Sequence, residues 1–221
     1  MIPLRALLTR YSTPFVTLII ILANTAIFLY EWVQPYYLRN VFIEQYGLVP
    51  DRLHLSALIT SMFLHGGWLH LIGNMWFLWV FGSHIEDAIG WAKFAILYLV
   101  CGIAAGVVQV FAMSGSPVPT IGASGAIAGI MGAFLLLYPR VRVLTLIFLF
   151  VFIMTIDVPA ALMLIYWFAI QLLSGLASFA SFSNAGGIAW FAHVGGFLSG
   201  LLLVRLFYDN SRRRYYRRYN V

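Results

Sequence analysis

Six long apolar runs separated by short polar stretches set the layout of this chain, at 15–33, 67–83, 91–113, 121–138, 160–180 and 188–208. A helix that crosses a bilayer needs about 20 mostly apolar residues, so each run is predicted to be one such span. A seventh apolar run, 143–156, is closed by Asp157 and Pro159. At about 14 residues it is short for a span and is predicted to be interfacial or re-entrant. Residues 34–66 form the longest loop, mixing aromatics with Arg39, Glu44, Asp51 and Arg52, and are expected to lie partly in the interface. The first run ends in Glu31-Trp32-Val33-Gln34 with no small-x-small cleavage site, which predicts a retained helix rather than a signal peptide. The expected fold is an all-α polytopic bundle of six transmembrane helices forming a single domain, 1–221.

Composition agrees with that pattern. Of 221 residues, 62% are hydrophobic and 9% charged, a membrane protein's balance. The net charge of +6 is read as orientation and not as nucleic-acid binding. With six spans and the N-terminus inside, only Arg39 and Arg52 of the 13 basic residues fall outside. The positive-inside rule then places both termini in the cytoplasm. It also sets the tail Arg212-Arg213-Arg214-Tyr215-Tyr216-Arg217-Arg218 against the anionic inner leaflet. The expected location is a multi-pass cell membrane, a prokaryotic plasma membrane, with the lipid bilayer as a partner. The single cysteine, Cys101, excludes an internal disulfide.

The candidate chemistry begins at Gly122-Ala123-Ser124-Gly125-Ala126-Ile127-Ala128-Gly129. Gly-x-Ser-x-Gly marks a serine nucleophile on a strand-to-helix turn. No strand precedes this stretch, so the soluble-hydrolase reading fails on context. Two readings remain. Gly125, Gly129, Gly122 and Gly132 could simply let two helices touch, or Ser124 is a nucleophile near the outer end of a membrane helix. The second, fourth and sixth spans all run from outside to inside. They therefore bring His70, Asn74, Ser124 and His193 to a similar depth near the outer face. His70 and Asn74 are four apart, on one helix face, and His193 shares a face with Gly196 and Gly200. If that face meets Gly125 and Gly129, a serine–histidine hydrogen bond is feasible. Each polar residue alone has a structural reading as an inter-helix hydrogen bond. All four at one depth favour catalysis.

These motifs resemble the rhomboid intramembrane serine proteases. The resemblance rests on Gly122-Ala123-Ser124-Gly125, on Ala192-His193-Val194-Gly195-Gly196 with Gly200, and on His65-Gly66-Gly67-Trp68-Leu69-His70-Leu71-Ile72-Gly73-Asn74-Met75. It runs from the first span to the sixth. It implies that Ser124 is the nucleophile and His193 its general base. It implies an oxyanion hole of the Ser124 N–H, Asn74 and His70, and structural roles for His65 and Glu86. It implies cleavage of peptide bonds in or near transmembrane segments of other membrane proteins, with no cofactor and no metal. Two positions depart from the family pattern. Ala128 stands where many members carry a tyrosine that packs on the histidine. Leu55-Ser56-Ala57-Leu58 stands where many carry a Trp-Arg pair. Trp167 and Phe168 of the fifth span are candidate gate residues. With only seven acids in the chain, none is placed near His193, so a Ser-His dyad is expected. The alternatives are a non-catalytic rhomboid-like protein that binds client helices, and a small transporter.

Overall fold

A computed structural model describes residues 1–149, 152–180 and 189–208. The arginine-rich tail at 212–218 and Gly186, expected near the start of the sixth span, lie outside the described residues. The chain opens with strand β1 (Ile2–Ala6) and helix α1 (Phe15–Trp32). The segment after α1 holds α2 (Tyr36–Tyr46), which buries no residue, and the short α3 (Ala57–Thr60). Next come α4 (Trp68–Phe77), a π-helical turn at Leu78–Gly82, α5 (Ser83–Ile89), α6 (Trp91–Ala112) and α7 (Ser124–Leu137). Strands β2 (Arg142–Leu149) and β3 (Phe152–Pro159) lead to α8 (Ala160–Ala180) and α9 (Trp190–Phe207). Among the described residues, α1, α6, α8 and α9 are long and apolar enough to cross a membrane.

The all-α expectation needs correcting. Residues 143–149 and 152–156 lie in the antiparallel strands β2 and β3, and β1 pairs with β2 to complete a three-stranded sheet in the order β1-β2-β3. The run is rich in β-branched and aromatic residues, which suit a pleated strand. Its polar spacing is too sparse to show alternation. The hairpin returns the chain to where it left α7: the Ala160 N–H donates to the Val141 carbonyl at 2.7 Å and the Ala161 N–H to that of Pro139 at 3.1 Å. So α8 starts beside the end of α7.

Carboxylates from α5 hold the start of α1 at that same end. The first N–H groups of a helix have no partner within it. Glu86 accepts hydrogen bonds from the Val16 N–H (2.9 Å), the Thr17 N–H (2.8 Å) and the Thr17 hydroxyl (2.8 Å). Asp87 accepts from the Tyr11 N–H at 3.1 Å and from the Ser12 hydroxyl. The negative charge also complements the positive end of the helix dipole. This gives the structural role expected of Glu86 a definite content.

Helix α7 is the centre of the bundle. Every residue from Gly125 to Phe134 is buried. At 14 residues it is about 21 Å long, well short of a ~30 Å hydrocarbon core. The loop before α7 reaches into the bundle, where Ala123 is fully buried, and delivers Ser124 there. That approach is fixed by the Leu48–Thr120 bridge and by the Gly122 N–H donating to the Ser61 carbonyl at 2.9 Å. Gly122 has φ +120°, a conformation that favours glycine. Leu55–Leu58 leads into α3, and Leu58 packs against Gly106 of α6.

Helices α7 and α9 touch backbone to backbone. A Cβ on Gly196 would run into the Gly125 carbonyl, and one on Gly200 into that of Gly129. A Cβ on Gly132 would strike the Phe197 carbonyl. The helix-contact reading of these glycines is therefore correct as far as it goes, and the same contact aligns the residues described next.

Candidate active site

Ser124 is the first residue of α7 and His193 the fourth of α9. With the two helices in contact, His193 Nε2 lies 2.7 Å from Ser124 Oγ. Its other ring nitrogen, Nδ1, lies 2.6 Å from Gln171 Oε1 of α8. An amide oxygen only accepts, so Nδ1 carries the proton and Nε2 presents a lone pair to the serine hydroxyl. His193 and Gln171 are both buried. The Trp167 ring lies 5.7 Å from the imidazole at 38°, and Phe168 stacks on Phe197 at 4.7 Å. Trp167 and Gln171 thus support the histidine from α8, a task that Ala128 cannot perform. The expected gate residues are packing partners of α9 in this structure.

Helix α9 is tied down beside the Ser124–His193 pair. Gln109 of α6 accepts a hydrogen bond from the Ala192 N–H at 3.1 Å through Oε1. Its amide nitrogen donates to the Thr120 hydroxyl at 3.5 Å. One side chain thereby joins α6, the loop before α7 and the first turn of α9.

Donors gather on the other side of Ser124. Being the first residue of α7, Ser124 has a backbone N–H with no partner within the helix; Ile127 is the first residue whose N–H reaches back, to Ala123. Asn74 is buried, and its Nδ2 has no hydrogen-bond partner among the described residues. The Gly66 N–H donates to His70 Nδ1 at 3.4 Å, which leaves His70 Nε2 as the protonated nitrogen. A Cβ built on Gly122 would lie 2.7 Å from His70 Nε2 and 3.5 Å from Asn74 Nδ2, so both donors converge two residues before the serine. They line a cavity of about 690 Å³ together with Ser124, His193 and Trp167.

His65 lies behind this set. Its ring is fully buried and meets that of His70 at 5.1 Å. Its backbone N–H approaches Glu31 Oε2 at 3.5 Å. Burial, and then the nearby His70, push its pKa down to about 4, so it is neutral at neutral pH. Glu31 is fully buried and faces His65, not His193. Among the described residues no carboxylate hydrogen-bonds His193 and no His/Cys/Asp/Glu group could hold a metal ion.

Sequence reasoning named Ser124, His193, His70, Asn74, His65 and the glycines Gly122, Gly125, Gly196 and Gly200; the structure gathers the first five and Gly122 in this region and places Gly125, Gly196 and Gly200 along the α7–α9 contact. It missed Gln171 and the contact of Trp167 with the histidine. The signal for Gln171 was present: it is the one amide in a helix whose other polar side chains are hydroxyls, and a polar side chain is costly in a bilayer.

A profile of the Rhomboid domain matches residues 52–210. RHOMBOID-like protein 6, mitochondrial, of Arabidopsis thaliana is 31% identical over 66% of this chain and 41% of its own length. Rhomboid protein 1, mitochondrial, of Saccharomyces cerevisiae is 33% identical over 73% of this chain and 45% of its own. Rhomboid protease GluP of Bacillus subtilis is 42% identical over 35% of this chain and 15% of its own. The chain thus spans less than half the length of these curated relatives. It is a multi-pass membrane protein, and with the family profile covering most of its length it belongs to the Rhomboid family.

Proposed function

We propose that the protein is an intramembrane serine endopeptidase that cleaves peptide bonds in or near transmembrane segments of other membrane proteins. The observation that carries this reading is the 2.7 Å contact between His193 Nε2 and Ser124 Oγ, made by a histidine whose outer nitrogen is already satisfied. In this mechanism Nε2 takes the serine proton as the hydroxyl attacks the scissile carbonyl. The negative charge that develops on the carbonyl oxygen is met by the Ser124 N–H, Asn74 Nδ2 and His70 Nε2. Donors fixed in place before the reaction are effective because they need no reorganisation when the charge appears. His193 then returns the proton to the leaving amine, and water admitted through the cavity releases the acyl group. A helical peptide bond is shielded by its own hydrogen bonds, so substrates with glycine or proline near the site are preferred. An intact dyad favours this reading over a non-catalytic binder of client helices.

Wild-type protein in liposomes should cut a transmembrane reporter near its outer end and be labelled on Ser124 by a fluorophosphonate. Labelling elsewhere with no cleavage would refute the reading.

In the same reading the bundle has six spans, α4–α5 and α7 being the two that join the four long helices. Both termini face the cytoplasm and the protein resides in a cell membrane. The β2–β3 hairpin, whose Phe152, Ile153, Met154 and Ile156 are exposed, rests at the inner interface. A reporter active only outside the cell, fused after Val221, should be silent. An active reporter would overturn this orientation.

A further inference from the structure

We propose that Gln171 is the positioning residue of the dyad, fixing both the tautomer and the ring orientation of His193 in place of a triad's carboxylate. The inference rests on the protease reading for its catalytic consequence, but its structural part can be tested without turnover.

Three observations carry it. The Nδ1–Oε1 distance of 2.6 Å is that of a well-formed hydrogen bond. Both partners are buried, so water competes little for either group. Gln171 also lies one helical turn beyond Trp167, so a single face of α8 supplies the ring contact and the hydrogen bond. The ring contact alone leaves the imidazole free to exchange tautomers. With Nδ1–H held on an amide oxygen, the lone pair stays on Nε2, facing Ser124 Oγ. The other tautomer would point a proton at the hydroxyl and could not act as a base.

An amide also differs from an acid in a way that can be measured. An ionised carboxylate on Nδ1 would stabilise the imidazolium formed during the reaction, at a large desolvation cost in a buried site. A neutral amide orients the ring without that cost and without that stabilisation. The chain has no acid at this position, and Gln171 supplies the orienting half of an acid's role.

The test uses two variants, with kinetics and ring ¹⁵N resonances of His193 read in parallel and assigned by their loss in His193→Ala. In wild type the resonances should show Nδ1 protonated and Nε2 bare. Gln171→Met, similar in size but without an acceptor, should lose that preference. It should also lower kcat by about 10–100-fold, the usual scale for removing a group that orients a functional histidine, with KM changed less than about threefold. Gln171→Glu restores an oxygen acceptor and adds charge. It should raise the pH at which His193 titrates by about one unit or more, and the acid limb of kcat should move with it. Retention of the Nδ1-protonated resonance in Gln171→Glu, alongside that shift, separates a hydrogen bond to Nδ1 from a charge that is merely nearby. An unshifted titration in Gln171→Glu would overturn the proposal. So would Gln171→Met that keeps the wild-type tautomer and a kcat within about threefold of wild type. If Gln171→Met does not fold, the Gln171→Glu titration decides alone. The expected tautomers in a wild-type protein that cuts nothing would count against the protease reading and leave the positioning role standing.

Discussion

Ser124→Ala, His193→Ala and the double variant are expected to fall to one common floor, each losing about 10⁶-fold in kcat, the scale on which a serine nucleophile and its base act as a unit. The reason is visible in the geometry. The serine hydroxyl is a weak nucleophile until Nε2, at 2.7 Å, takes its proton. Without the base the hydroxyl stays protonated. Without the hydroxyl the base has nothing to activate. Removing the second member therefore costs nothing further. Cleavage of a transmembrane reporter in liposomes measures this, and a melting curve of each variant shows that the bundle persists. Losses that multiply in the double variant would mean that the two side chains act separately. Undiminished cleavage by Ser124→Ala would end the serine-protease reading.

Asn74→Ala should separate activity from stability. Its kcat is expected to drop by about 10²–10³, the usual result of deleting one oxyanion donor, with KM almost unchanged because the contact forms mainly in the transition state. Its melting temperature should fall only slightly. The Asn74 amide nitrogen is buried and has no hydrogen-bond partner among the described residues. A buried donor left unpaired costs about 1–3 kcal/mol, so removing it offsets some of the packing lost with the side chain. Sites that hold such a group in readiness give up stability for function. A change in KM alone would make Asn74 a substrate-binding group. A marked fall in melting temperature with normal kcat would make it structural.

The sequence by itself determined the helices and the motif residues, and it did so for local reasons. An apolar run of sufficient length has few alternatives to a helix in a bilayer. The apolar runs at 15–33, 91–113 and 160–180 accordingly coincide with the helices α1, α6 and α8 to within a residue. Glycines four apart on two helices announced a close contact, and Gly196 and Gly200 do lie against the Gly125 and Gly129 carbonyls. The depth argument that grouped Ser124, His193, His70 and Asn74 needed only span direction and position within each span.

Only the tertiary structure decided which distant side chains complete those features. Strand β2 pairs with Ile2–Ala6, a partner more than 130 residues away in sequence, and the dense apolar pattern of β2 and β3 conceals the strand period. The cap on α1 comes from Glu86, nearly 70 residues along. Gln171 and Trp167 reach His193 because α8 packs beside α9, a matter of helix neighbours and rotation that spacing within α8 does not encode. Periodicity reports which face of an element is apolar, because that depends on residues a few positions apart. The identity of the neighbour on that face is set by packing the whole chain at once, and that is where the orienting group of His193 was decided.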